Sequence, residues 1–226
     1  MEVEPAQKQS AVGLIPADWE IEQLGGCIRS DAPICYGILM PGEHISGGVL
    51  VVKVRDIIGG KIDESNLLRT SPLIDEAYKR SRLLPGDVLL SIRGSTGRVA
   101  LTSEALKGAN ITQDTARIRL DGRIAAEFIY HALQSSYAQD FIRLHTIGQA
   151  VKGINIRDVR ALAVALPPFA EQKAIAAALS DVDALLDALD RLIAKKRDLK
   201  QAAMPVSYTH LRAHETDSYL VCRLLL

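Results

Sequence analysis

Hydrophobic positions in this chain follow two different periods. Up to residue 166 they come in short continuous or alternating runs divided by turn residues, the pattern of strands and short helices. Beyond Leu166-Pro167-Pro168-Phe169-Ala170-Glu171-Gln172 they recur in steps of four and three, at Ile175, Leu179, Val182, Leu186, Leu189 and Ile193. That is the heptad signature of a helix with a seam for another helix. Leu185, Leu192 and Leu199 add a second row seven apart. A stripe this wide needs a cover, so Ile175, Leu179, Val182, Leu185, Leu186, Leu189, Leu192 and Ile193 are the expected partner-binding residues.

In the first regime, residues 1–10 are polar and expected to fray. Strands are predicted at 21–25, just after the only tryptophan (Trp19, read as a core anchor), and at 49–55. Pro85-Gly86-Asp87 is a turn feeding a strand over 88–92. Arg93-Gly94-Ser95-Thr96-Gly97-Arg98 then reverses the chain into 99–102. Further strands are expected at 111–113, at 116–120 with basic residues on one face, and at 163–166. Helices are expected at 74–82, at 124–144 with a possible break at Ser135-Ser136, and at 156–162 after a polar loop over 146–153. The prediction is an α+β globule over 11–166, a mixed or antiparallel β-sheet with flanking helices, followed by one long C-terminal coiled-coil helix over 167–204.

Pro168 suits the first helical turn, where its missing N–H costs nothing, and Glu171 complements the positive end of the dipole. A helix over 169–204 would be about 54 Å long at ~1.5 Å per residue. A globule of this size is only about 35–40 Å across, which argues against the helix folding back on its own domain. The charges are segregated: Asp181, Asp183, Asp187 and Asp190 precede Arg191, Lys195, Lys196, Arg197 and Lys200. Two such helices are complementary antiparallel and repulsive parallel.

Composition narrows the class. The chain has 226 residues, 48% hydrophobic and 24% charged, enough for one sizeable core plus an appendage. There is no uninterrupted apolar run of about 18 residues, so no membrane span is expected. The start is acidic and polar, unlike a secretory signal, and three irregularly spaced cysteines suit neither a disulfide framework nor a zinc site. A cytoplasmic location is the expectation. The net charge of zero hides a basic middle: residues 79–160 hold 13 Lys/Arg against 7 Asp/Glu. A phosphate-facing surface needs such an excess, although chance also supplies it often.

Catalytic chemistry is not expected. Leu166-Pro167-Pro168-Phe169 is close to the Asn/Asp-Pro-Pro-Tyr/Phe motif of amino-methyltransferases, but Leu166 cannot hydrogen-bond a target amino group. No glycine-rich loop suits S-adenosylmethionine or a dinucleotide, and Gly94-Ser95-Thr96-Gly97 is too short to cradle a phosphate. Asp87 is expected to accept turn N–H bonds, and His44, His131 and His145 are scattered, so no metal and no cofactor are expected. DNA contact needs donors on loops instead. The candidates are Arg93, Ser95, Thr96 and Arg98 on one reversal, Lys79, Arg80 and Arg82 at a helix end, and Gln149 and Lys152 on the polar loop. Turn capping by Ser95 and Thr96, and dipole complementation by the 79–82 cluster, are the competing explanations.

Taken together, Trp19…Leu24-Gly25, Pro85-Gly86-Asp87-Val88-Leu89-Leu90-Ser91…Gly94-Ser95-Thr96-Gly97, Thr146-Ile147-Gly148-Gln149…Ile154 and the Pro-Pro-x-x-Glu-Gln opening of the heptad helix resemble the specificity subunit of type I restriction–modification systems. The resemblance covers residues 13–204. It implies a target-recognition domain reading one half of a split double-stranded DNA site. It also implies a conserved helix that pairs antiparallel with a sister helix and docks methyltransferase subunits, with a restriction subunit joining the complex. Full-length members resemble two such units in tandem, whereas one is present here. The sister would then be a second copy of the chain or a missing tandem repeat.

Two other readings stand beside this one: a coiled-coil protein–protein adaptor without DNA specificity, and a degenerate methyltransferase. Residues 206–216 fit neither helix nor heptad and back-translate to a run resembling a transposase-type sequencing adaptor. Residues 205–226 are therefore expected to be non-native, and His210, His214 and Cys222 are not read as site residues.

Overall fold

The computed structural model describes the backbone of residues 6–223 and the side chains of residues 6–202. It divides into two compact units, Met1–Ala177 and Ala178–Leu226.

The first unit is organised around the strand Val88–Ser91, all four residues of which are buried. It is central in a four-stranded antiparallel sheet ordered Val99–Leu101, Val88–Ser91, Thr115–Ile118, Cys35–Tyr36. A strand covered on both faces has no polar side to show, so Val88-Leu89-Leu90 reads as a continuous apolar run. Side chains nevertheless alternate. Val88 and Leu90 join Ala116 and Ile118 in a core with Phe128, Ile129 and Leu133. Leu89 and Ala100 join Val52, Leu83, Leu106 and Ile111 in another.

Helices cover the first face. The expected break in the 124–144 helix is present: Ala126–Gln134 and Ser136–His145 are separate helices. Ser135 ends one and caps the next, its hydroxyl accepting from the Ala138 N–H at 3.3 Å. The second face meets a three-stranded mixed sheet, Asn110–Ile111, Val49–Val52 and Leu68–Thr70, whose first pair is parallel. The α+β class and the mixed and antiparallel pairing therefore match the expectation from the sequence.

Several elements differ. Residues Gln7–Ser10 do not fray; they form a hairpin with Gly13–Pro16, turned by Gly13 at φ +110°. The short strands Cys35–Tyr36, Ile57–Ile58, Lys61–Ile62 and Leu68–Thr70 were not foreseen, being too short to show alternation. The helix expected over 74–82 is the shorter Pro72–Ala77, with Ser71 as cap and Pro72 in the first turn, followed by a 3-10 turn, Lys79–Ser81. Arg117, the basic residue of Thr115–Ile118, is 2% exposed and donates to the Pro33 carbonyl at 3.0 Å. Just beyond it, Arg119 clamps Asp87 with two bonds of 2.7 Å.

Ala163–Leu166 pairs antiparallel with Glu20–Gln23, so the double proline leaves the sheet beside Trp19. The next residues anchor the long helix. Glu171 accepts from the Trp19 indole N–H at 3.3 Å, and Trp19 is thus only half-buried. Gln172, 3% exposed, accepts from the Ala125 N–H and donates to the Pro167 carbonyl, both at 2.9 Å.

The helix runs Phe169–Arg223. It passes Met204 and Pro205 without the expected break. His210, His214 and Cys222 lie outside the described side chains. None of the described helices is long and apolar enough to cross a membrane.

Candidate nucleic-acid interface

The reversal after Val88–Ser91 is built by its two glycines. Gly94 and Gly97 have φ of +70° and +90°, a region that favours glycine, and a Cβ on Gly97 would lie 2.7 Å from the Gln139 amide oxygen. Ser91 stabilises the turn internally: its hydroxyl donates to the Ser95 carbonyl and accepts the Arg98 N–H at 2.8 Å.

The 146–153 loop is fastened to this reversal by its backbone. Ile154 N–H donates to the Ile92 carbonyl and Gly94 N–H to the Lys152 carbonyl, each at 2.9 Å. Ile147 and Gly153 exchange two 2.9 Å bonds that close the loop tip. Thr96 and Thr146 hydroxyls meet at 3.3 Å. Two segments about fifty residues apart in sequence thus form one surface, with the exposed side chains of Arg93, Ser95, Gln149 and Lys152 on it.

Arg93 lines two open clefts. One, of about 1040 Å³, is lined by Arg55, Ile58, Gly59, Ser95, Arg98 and Val151 among others. The other, of about 850 Å³, includes Tyr36, Leu39, Gln113, Ile147, Val151 and Asn155. Arg93 and Val151 line both. The Arg93 guanidinium donates to the Gln113 side-chain oxygen at a long 3.4 Å, which leaves most of its donors open.

The other candidate cations differ in what holds them. Arg98 donates to the Val54 and Ile57 carbonyls at 3.3 and 2.9 Å, fastening the wall of the larger cleft. Arg82 is clamped by Asp75 and Glu76 at 2.7 and 2.6 Å, and its hydrogen bond holds the Glu76 carboxyl below its ordinary pKa. Lys79 lies 3.7 Å from the same Glu76. Arg80 stands over the Tyr36 ring at 5.8 Å and so adjoins the smaller cleft. The sequence cluster 79–82 therefore splits: Arg82 is neutralised in place, while Arg80 is presented beside an exposed tyrosine.

Arg55, Tyr36 and Gln113 were not among the expected contacts. Arg55 ends an apolar run, which drew it into the predicted strand, and Tyr36 sits in a two-residue strand with no periodic signal. Gln113, read as structural from its strand, does hold Arg93.

On the long helix, Ile175 is half-buried against the domain core. From Leu179 onward the stripe is exposed: Leu179, Val182, Leu185, Leu186, Leu189, Leu192 and Ile193 have 42–61% of their surface accessible. Among the described residues, no cluster of three or more His, Cys, Asp or Glu could hold a metal ion.

Comparison with known proteins bears on this arrangement. Residues 54–197 match the family model of the type I restriction modification DNA specificity domain. The chain is 32% identical over 181 residues to the type I restriction enzyme EcoBI specificity subunit of Escherichia coli, covering 80% of this chain and 38% of that one. It is 26% identical over 210 residues to the putative type I restriction enzyme MjaX specificity subunit of Methanocaldococcus jannaschii, covering 89% and 48%. Among solved structures, the HsdS subunit from Thermoanaerobacter tengcongensis superposes with a TM-score of 0.57 at 20% identity, over 80% of this chain and 46% of that one. A chain from a study of type I R-M complex assembly and conformational transition gives 0.61 at 19%, over 80% and 42%. The chain spans less than half the length of each of these proteins.

Proposed function

Because this chain belongs to the family of type I restriction–modification DNA specificity domains, we propose that it recognises one half of a split double-stranded DNA site. In this reading it is non-catalytic, acts in the cytoplasm, and positions a methyltransferase subunit and, through the complex, a restriction subunit. The observation that carries the proposal is the joined surface of the 93–98 reversal and the 146–153 loop. There Arg93 lines both clefts with most of its donors open, beside Ser95, Gln149 and Lys152. Arginine and lysine neutralise phosphates, and loop amides and hydroxyls reach base edges. Arg80, and more weakly Lys79, would extend the contact to phosphates. Arg82, Arg98 and Thr96, engaged within the protein, would act by holding the loops.

The exposed leucine stripe supports the remaining half of the proposal. Leu179 to Ile193, with acidic residues before basic ones, suits an antiparallel sister helix. That sister would belong to a second copy of the chain or to the second half of a tandem protein. The boundaries 11–166 and 167–204, with 205–226 as a non-native tail, are part of the same proposal.

The test is selection of a preferred duplex from a randomised library by the chain together with the methyltransferase subunit that co-purifies with it. One defined short half-site is the expected outcome. Equal affinity for all sequences would refute specificity, and absence of DNA binding at low salt would favour the adaptor reading.

A further inference from the structure

The surface assigned to DNA carries an apolar feature that charge neutralisation does not explain. At the tip of the 146–153 loop, Ile147 and Val151 are 65% and 67% exposed amid Arg93, Gln149 and Lys152. They are not on a floppy excursion, because the backbone exchange between Ile147 and Gly153 closes the tip. Gly148 turns within it at φ +110°, where a Cβ would lie 2.3 Å from the Val151 carbonyl oxygen. Aliphatic side chains held rigidly in water gain nothing there unless a ligand covers them.

Resting on the DNA-binding reading above, we propose that Ile147 and Val151 form an apolar reader of a pyrimidine 5-methyl group in the major groove. Duplex DNA offers aliphatic chains three apolar targets: the thymine methyl, the faces of unstacked bases, and the sugars. Wedging between base steps, which isoleucine can do, unstacks and kinks the duplex, and valine is not among the side chains that do it. The 5-methyl group is the apolar mark on a base edge that a side chain can touch without deforming the duplex. The flanking charges match this occupant. Arg93, which lines both clefts with Val151, and Lys152, adjacent in sequence, are cations that phosphates on either side of a groove would engage. The half-site is therefore expected to contain a thymine, or a 5-methylcytosine in its place, under this tip.

The experiment uses the full chain, the duplex it selects from a randomised library, and versions of that duplex with each thymine replaced singly by uracil. Uracil removes one methyl group and keeps the pairing. One position should lose about fourfold in affinity, the equilibrium effect of one methyl leaving an apolar contact. Val151→Ala and Ile147→Ala, both at exposed positions, should shrink that discrimination, whereas Leu73→Ala, 83% exposed on a helix that lines neither cleft, should keep it. A selected half-site in which no uracil substitution matters, or discrimination unchanged in both tip variants, would overturn this proposal and leave half-site recognition standing. Binding without any sequence preference would overturn both.

Discussion

Gln172 and Ala125 are joined by a 2.9 Å hydrogen bond in which the glutamine side-chain oxygen accepts the backbone N–H that precedes the helix Ala126–Gln134. Ala125 has no side chain to cap that helix, and its own backbone N–H is taken up by Gln172, the last residue of the Pro-Pro-x-x-Glu-Gln pattern, from the root of another helix. The same amide donates to Pro167, so one side chain ties the exit of a strand, the start of a packed helix and the base of the long helix. The motif is in this sense a structural anchor.

Gln172→Ala is therefore expected to leave the Ala125 N–H and the Pro167 carbonyl buried without partners. Two such groups cost about 1–3 kcal/mol each. Denaturant unfolding should show the lost stability. Gln172→Glu should also destabilise, because a carboxylate cannot donate to Pro167.

Arg119 and Asp87 form a nearly buried bidentate pair, with side chains 18% and 2% exposed. Removing one partner of such a pair costs about 3–5 kcal/mol, since the other charge is stranded. Arg119→Ala should unfold at markedly lower temperature. Arg119→Lys should recover only part of the loss, because an ammonium cannot fork across both oxygens.

Arg93→Ala should weaken DNA binding and lower the slope of log affinity against log salt by about one, if the guanidinium meets a phosphate. Thermal stability should be almost unchanged, since only the long bond to Gln113 is lost. Arg98→Ala should do the reverse first: it frees the Val54 and Ile57 carbonyls and lowers stability.

Leu186→Asp and Leu189→Asp alter residues that are 54% and 45% exposed. Both should leave the fold of the first unit intact and disrupt pairing of the long helix. Sedimentation of the chain alone, or with any methyltransferase subunit that co-purifies with it, reads the difference.

Burial pushes the Cys27 thiol up to about 12, and nearby Glu22 and Asp121 add to the shift. Its contribution to stability is full below the ordinary thiol range and is lost as pH rises towards that value. Maleimide at pH 8 should leave Cys27 unlabelled until the chain unfolds. Asp121 shifts the other way, held low by hydrogen bonds from Arg123, so its contribution is present above the ordinary carboxylate range and fades as pH falls. Arg123→Gln should reduce that acid dependence in a pH series of melting temperatures.

Much of the architecture was legible in the residue pattern. Val88–Ser91, Val99–Leu101 and Ala163–Leu166 are apolar runs bounded by turn signals, and the heptad spacing announced the long helix. The break at Ser135 followed from a residue type that caps better than it continues a helix. Two-residue strands such as Cys35–Tyr36 were not legible, because they exist only where a neighbour supplies hydrogen bonds. The candidate surface was half legible. Gly94, Gly97 and the cations flanking them marked a reversal, but nothing in the linear pattern distinguished Arg93, left open, from Arg82 and Arg98, both engaged within the protein.

By itself the sequence determined the α+β class, the turn at 93–98, the amphipathic helix with its ordered charges, and the motifs that mark the family. Those features are local: periodicity, turn chemistry and capping act over a few residues. Only the tertiary structure decided which cations are neutralised, which side chain anchors the helix root, and that the 93–98 and 146–153 loops share one surface. Such facts depend on contacts between residues far apart in the chain, whose burial and pairing are settled when the sheet and its helices pack together.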